Sequence, residues 1–125
     1  LRGLPPGLLL RAEAPITCED SEPEPDLSIV PGQEQDFRDR HPSSAELVVE
    51  VCVTSHEYDR SKLPIYASAG VPECWLVLGP EQRIEAHRRP VGSSYTEIRI
   101  YQTGDLTDCS SIPGLAIPVS SVFGA

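Results

Sequence analysis

The sequence predicts a single domain of the α/β (α+β) class, in which several strands are accompanied by one helix. The clearest strand signal covers residues 45–53, which are rich in valine and lack strict polar–apolar alternation, as is typical of a central strand covered on both faces. Residues 55–69 then place Tyr58, Lys62 and Tyr66 at intervals of four, which predicts one helical stripe. With 125 residues, the chain can bury one core but is too short for two domains.

Turn residues and alternation predict the remaining elements. Gly70 is expected to end the helix, because glycine favours helix C-termini. The further predicted strands are residues 8–17, 25–30, 71–78, 83–88 and 95–101, with residues 79–82 forming a hairpin turn between the third and fourth. Residues 1–7 and the charged connection 31–44 are expected to be flexible, and the tail at residues 115–123 is expected to pack against a sheet edge.

Composition limits the classes of function. A net charge of −9 argues against a protein that holds nucleic acid by general electrostatics, because phosphate contacts need lysine and arginine. Any nucleic-acid role must therefore depend on a local site. No apolar run approaches the roughly 20 residues of a membrane helix, so no membrane association is expected. The four cysteines form no C-x-x-C pair, which favours a reduced, cytoplasmic protein. The sequence leaves a homodimer open.

One buried acid suggests chemistry. Glu50 lies in the middle of the strongest predicted strand, where an ionised carboxylate costs several kcal/mol unless it is paired, hydrogen-bonded or bound to a metal. Asp26 begins a second predicted strand, which could bring its carboxylate beside that of Glu50. Two close carboxylates repel and favour a divalent cation, and hard oxygen ligands select Mg²⁺ or Mn²⁺. Lys62, at the start of the predicted helix, could bring an ammonium to the same place.

Further side chains are candidates for supporting roles. Asp59 lies one turn before Lys62 and could pair with it, position it or cap the helix. Glu73 could reach the site as an outer ligand or hold Lys62, although a salt bridge at the start of a strand is the simpler interpretation. Three arginines are weak candidates for contact with nucleic-acid phosphate: Arg60, Arg88 and Arg89.

Three ordered segments resemble the Uma2 family of restriction-endonuclease-like proteins, within the PD-(D/E)XK nuclease superfamily. They are Pro25-Asp-Leu-Ser-Ile-Val, Glu46-Leu-Val-Val-Glu-Val and Asp59-Arg-Ser-Lys-Leu-Pro-Ile-Tyr-Ala-Ser-Ala-Gly-Val-Pro-Glu-Cys-Trp. The resemblance extends from about Leu8 to Phe123. It implies a restriction-endonuclease-like mixed central sheet with flanking helices, in which Asp26 and Glu50 bind Mg²⁺ and Lys62 is the catalytic lysine. It also implies an N-terminal helical segment, which is expected to be absent from this chain.

The position of the lysine departs from the wider superfamily. There the lysine lies two residues after the strand acid, where this chain has Cys52, and Lys62 resembles the relocated lysine of the Uma2 branch. The first hypothesis is therefore an enzyme, a Mg²⁺-dependent endonuclease that hydrolyses DNA phosphodiester bonds. The alternative is a catalytically inactive remnant of the same fold that acts as a binding or assembly module.

Overall fold

The computed structural model describes residues 4–53 and 60–123, which form a mixed six-stranded sheet with short helices and a separate strand pair. The sheet strands are β1 (Leu8–Ala12), β2 (Leu27–Pro31), β3 (Leu47–Cys52), β4 (Glu73–Leu78), β5 (Arg83–Val91) and β6 (Ser94–Gln102). The other elements are a 3₁₀ helix (Glu34–Phe37), helix α1 (Leu63–Ser68), strands β7 (Leu106–Asp108) and β8 (Ala116–Pro118), and helix α2 (Val119–Phe123).

The strands follow one another across the sheet in chain order, from β1 to β6. Every neighbouring pair is antiparallel except β3 and β4, which are parallel. A parallel pair needs a crossover connection, and the chain between β3 and β4 contains α1. The helix lies on one face of the sheet, mainly against β5 and β6. These observations confirm the predicted fold class, a mixed sheet with few helices.

Apolar side chains cover both faces of the sheet, as predicted for its central strands. The face beneath α1, here called the helix face, carries Val30, Val48, Cys52, Cys74, Leu76 and Leu78. The opposite face, here called the hairpin face, carries Ile29, Leu47, Trp75, Val77, Ile84 and Ala86, and the chain around β7, β8 and α2 packs on it. All six residues of β4 are buried, so this strand is the centre of the core.

Several element boundaries differ from the sequence prediction. The described part of the predicted helix is α1, which starts at Leu63 because the chain has Pro64 in the first turn, where a missing N–H is tolerated. Gly70 has a positive φ of 79° and its N–H donates to the carbonyl of Ala67, as expected of a glycine after a helix.

The tail does not pack against a sheet edge, because Val119 is buried in the hairpin-face core.

In the segment 31–44, which was expected to be flexible, the structure has the short 3₁₀ helix. Its flexibility stays a prediction. Within residues 4–53 and 60–123, no helix combines the length and apolar character that crossing a membrane would require.

Glu73 organises the polar contacts of the hairpin face. Its side chain is fully buried; Oε1 accepts hydrogen bonds from the N–H and hydroxyl of Ser110, and Oε2 accepts one from the indole N–H of Trp75. The guanidinium of Arg88 lies 3.2 Å from Oε2 and also donates to the carbonyl of Asp108. One carboxylate thus joins β4, β5 and the chain after β7.

We expect Glu73→Ala to lower the free energy of unfolding by about 3–5 kcal/mol, because it leaves the buried Arg88 guanidinium without its nearest carboxylate. Urea unfolding followed by circular dichroism would measure the change. The matched control is Glu34→Ala on the exposed 3₁₀ helix, for which we expect a change within about 0.5 kcal/mol. Equal stabilities of the two variants would contradict the structural role of Glu73.

Candidate active site

The acid predicted from the sequence is buried in the sheet. Glu50 is only 2% exposed and lies opposite Leu76 in the parallel register of β3 and β4. Alternation along β3 places its side chain on the helix face, with Val48 and Cys52 as neighbours on the same strand. The carboxylate therefore points out of an apolar sheet surface toward α1.

Helix α1 and its first turn supply two partners to this carboxylate. The hydroxyl of Tyr66 donates a hydrogen bond to Oε2 of Glu50 at 2.7 Å, and the Nζ atom of Lys62 lies 3.4 Å from the same oxygen. Lys62 and Tyr66 are four residues apart and so share one helical stripe. Lys62 is also the only lysine in the chain.

The second predicted acid lies beside the first. Asp26 immediately precedes β2, and continuing the register of Leu27 with Val49 by one residue places Asp26 opposite Glu50. Its Oδ2 atom accepts a hydrogen bond from the backbone N–H of Val51 at 2.6 Å, which fixes the carboxylate at β3. The structure thus brings Asp26, Glu50 and Lys62 to one place on the helix face. We call this group the Asp26–Glu50–Lys62 site.

Burial raises the pKa of the Glu50 carboxyl above its ordinary value, and the negative charge of Asp26 raises it further. The hydrogen bond from Tyr66 and the charge of Lys62 act in the opposite direction without cancelling the effect of burial. Burial and the adjacent Glu50 carboxylate also raise the pKa of the Tyr66 hydroxyl well above its usual range, so Tyr66 remains a hydrogen-bond donor. Among the described residues of the site, two carboxylates thus face one ammonium group.

The two carboxylates are the described groups that could hold a hard divalent cation. The side-chain contacts from Tyr66 and Lys62 go to Oε2 of Glu50, and its Oε1 atom receives no hydrogen bond from the described residues. Among residues 4–53 and 60–123, no group of three or more His, Cys, Asp or Glu side chains is placed to hold a metal. A pair of carboxylates is nevertheless a sufficient protein contribution for Mg²⁺, which usually keeps several waters and takes one or two carboxylates.

Tyr66 is a residue of the site that the sequence interpretation missed. The sequence suggested a core aromatic, and Tyr66 is indeed fully buried, but its hydroxyl ends at Glu50. Its spacing of four from Lys62 was the available signal, because it places both side chains above the same part of the sheet.

The structure locates one of the two predicted supporting acids. Asp59 lies outside the described residues. Glu73 lies on the hairpin face, since it shares the parity of Trp75 along β4, and it is engaged by Ser110 and Arg88. Its predicted roles as an outer ligand or as a partner of Lys62 are therefore corrected, because the sheet separates its carboxylate from that of Glu50. The simpler interpretation, a salt bridge at the start of a strand, is confirmed by the contact with Arg88.

The three candidate arginines have different surroundings. Arg88 is buried on the hairpin face, paired with Glu73, which corrects its assignment as a phosphate contact. Arg89 is exposed and lies 3.4 Å from Glu97. Arg60 donates to both oxygens of Glu85, at 2.6 and 2.8 Å, so its charge is already compensated.

Glu85 extends the polar part of the helix face. Glu85 is a residue of β5 and lies opposite Leu76 of β4, in the same cross-strand row as Glu50 of β3. Its Oε1 atom is 3.1 Å from Nε2 of His87. The hydrogen bonds from Arg60 lower the pKa of Glu85, whereas burial lowers that of His87. The sequence interpretation did not single out Glu85, because its alternating strand resembles an ordinary solvated hairpin.

Comparison with known proteins identifies relatives of this architecture. The sequence model of the family Uma2, described as "Putative restriction endonuclease", matches residues 1–120. A crystal structure described as a putative nuclease belonging to DUF820, from Anabaena variabilis ATCC 29413, superimposes with a TM-score of 0.77 at 16% identity. That match covers 94% of this chain and 69% of the other. A comparison with curated proteins finds no significant match.

The raised pKa of Glu50 predicts a pH-dependent stability of the metal-free protein. The folded state binds this proton more tightly than the unfolded chain, so the stability is fully present below the ordinary value of 4.5 and declines as pH rises through the folded pKa. Glu50→Gln removes the titration. We expect the variant to gain stability relative to the parent as pH rises above 4.5, in urea unfolding with a chelator present.

The control for this experiment is Glu34→Gln, an identical change at an exposed position. Its stability difference from the parent should not vary with pH in the way that the Glu50 difference does. The raised pKa of Glu50 would be contradicted if the stability difference between Glu50→Gln and the parent did not change with pH. It would also be contradicted if the parent became the more stable of the two as pH rises.

Proposed function

The chain belongs to the Uma2 family, and we propose that it is a nuclease that hydrolyses DNA phosphodiester bonds at the Asp26–Glu50–Lys62 site with Mg²⁺ or Mn²⁺. The observation that carries the proposal is the convergence of two carboxylates and the chain's only lysine on one place of the helix face. This arrangement combines ligands for a hard cation with a positive charge, and both can promote phosphodiester hydrolysis.

Asp26 and Glu50 would hold the cation. Asp26 is anchored by the N–H of Val51, and the Tyr66 hydroxyl fixes the orientation of the Glu50 carboxylate. When bound, the cation would activate water and offset negative charge on the phosphate. The excess negative charge of the site and the raised pKa of Glu50 support this assignment, because a divalent cation would remove both penalties.

Lys62 would act on the reacting phosphate. Its Nζ atom is held 3.4 Å from Glu50, and 21% of the side chain remains exposed, so the ammonium lies between the buried acid and the surface. From there it can orient a nucleophilic water or stabilise the charge that builds on the phosphate oxygens in the transition state. Tyr66 would act through Glu50 as a positioning residue.

A second candidate function is a binding or assembly module that keeps the fold without the chemistry. Two observations favour it: the net charge of −9, and the pairing of Arg60 with Glu85, which removes a cation that could otherwise meet phosphate beside Lys62. With a net charge of −9, an enzyme of this composition gains little attraction to DNA from general electrostatics. The nuclease and the binding module are distinguished by one property, which is whether the parent protein cleaves DNA.

Plasmid cleavage with Mg²⁺ or Mn²⁺ would test the proposal. We expect Asp26→Asn, Glu50→Gln and Lys62→Ala each to lower the cleavage rate by about 100-fold or more, since each removes a group that acts in the transition state. Asp39→Asn, at an exposed position, is the matched control and should cleave like the parent. Unchanged cleavage in all three site variants would exclude this mechanism, and an inactive parent that binds the metal would support the alternative.

Metal binding can be tested without activity. We expect Mg²⁺ or Mn²⁺ to raise the melting temperature of the parent, with a stabilisation of about 2.7 kcal/mol when the metal is at 100 times its Kd. Asp26→Asn should lose most of this shift and Asp39→Asn should keep it. A shift of the same size in Asp26→Asn would show that the metal binds elsewhere.

A further inference from the structure

Strand β6 forms one edge of the six-stranded sheet, and its nine residues contain no proline. A long edge strand offers a row of unpaired backbone donors and acceptors to another strand. We propose that this edge pairs antiparallel with β6 of a second copy of the chain, so that two sheets join into one. The inference depends on the fold and not on the proposed nuclease activity.

The backbone of β6 is oriented for such pairing. The N–H of Gln102 donates to the side chain of Asp105, and its carbonyl accepts from the N–H of Asp105, so both groups point away from β5. Backbone direction alternates along a strand in an antiparallel ladder. The N–H and carbonyl groups of Ile98 and Ile100 therefore point to the same outer edge.

The side chains indicate one register, centred on Ile98. In this register Ile98 faces its own copy, and Thr96 faces Ile100 of the second copy. Ile98 is 56% exposed and Ile100 is 45% exposed, so pairing would bury apolar surface that the monomer leaves in water. The two isoleucines make a short apolar stripe on the edge.

Charge complementarity supports the same register. Antiparallel pairing about Ile98 places Glu97 opposite Arg99 of the second copy, and the symmetry repeats this contact on the other side. Within one chain these two side chains are 31% and 64% exposed, so both remain accessible to a partner. Opposite charges directly across an antiparallel pair are stabilising, whereas like charges are destabilising.

The other edge of the sheet is less suited to this role. Strand β1 has five residues, and the 3₁₀ segment lies near it, with the guanidinium of Arg11 5.3 Å from the centroid of the Phe37 ring. By contrast, β6 is nearly twice as long, and although α1 packs beside it on the helix face, Ile98 and Ile100 remain exposed. We therefore assign the second copy to β6.

Cross-linking through Ile98→Cys tests the register directly. Residues that form a hydrogen-bonded antiparallel pair have Cα atoms about 5.5 Å apart, within the range that a disulfide spans. Under mild oxidation the variant should form a covalent dimer, whereas Val91→Cys, an exposed position on β5, should not. If Ile98→Cys cross-links no faster than Val91→Cys, the proposal is overturned.

Sedimentation equilibrium supplies an independent test. The parent should approach twice the mass of 13.6 kDa as concentration rises. Glu97→Lys or Arg99→Glu alone should weaken dimerisation roughly tenfold, because each creates two like-charge contacts, and the double variant should restore it. Thermal unfolding would verify that each variant is folded. The proposal would be overturned if the parent stayed monomeric, or if neither Glu97→Lys nor Arg99→Glu alone weakened dimerisation. In that case a strand of a different protein would be the remaining candidate partner of the β6 edge.

Discussion

The burial of the Glu50 carboxylate between the sheet and α1 is the interaction on which the site depends. A charge at this depth is tolerated because Tyr66 donates to it and Lys62 lies beside it. The three groups connect strand β3 with helix α1. The site is therefore part of the core and cannot be separated from the stability of the fold.

The parallel pairing of β3 and β4 explains why these groups meet. Antiparallel neighbours can be joined by a tight turn, but a parallel pair obliges the chain to cross the sheet, and α1 lies on that path. The crossover carries Lys62 and Tyr66 back over β3, while the antiparallel pairing of β2 brings Asp26 from the other side. Topology thus assembles residues that are distant in sequence.

Much of this could be predicted from the sequence because the relevant signals are local. The valine-rich run around Glu50 indicated a central strand, and the motif spacing associated Asp26 and Lys62 with it. The predicted role of Glu73 at the site was wrong, because its position depends on strand pairing that the sequence alone does not determine. Its face depends on the register of β4 with β3, and a shift of one residue would have moved it to the other side of the sheet. The prediction that Arg88 contacts phosphate was wrong for the same reason, since Arg88 on β5 lies opposite Glu73.

The presence of a single lysine has a consequence for the chemistry of the chain in solution. Reagents that acylate or carbamylate side-chain amines have only Lys62 to attack, and that amine lies at Glu50. Such a modification would remove the positive charge and leave the carboxylate with Tyr66 as its remaining contact among the described groups. Covalent modification of lysine in this chain is thus equivalent to modification of the site, and the extent of labelling measures the accessibility of the site.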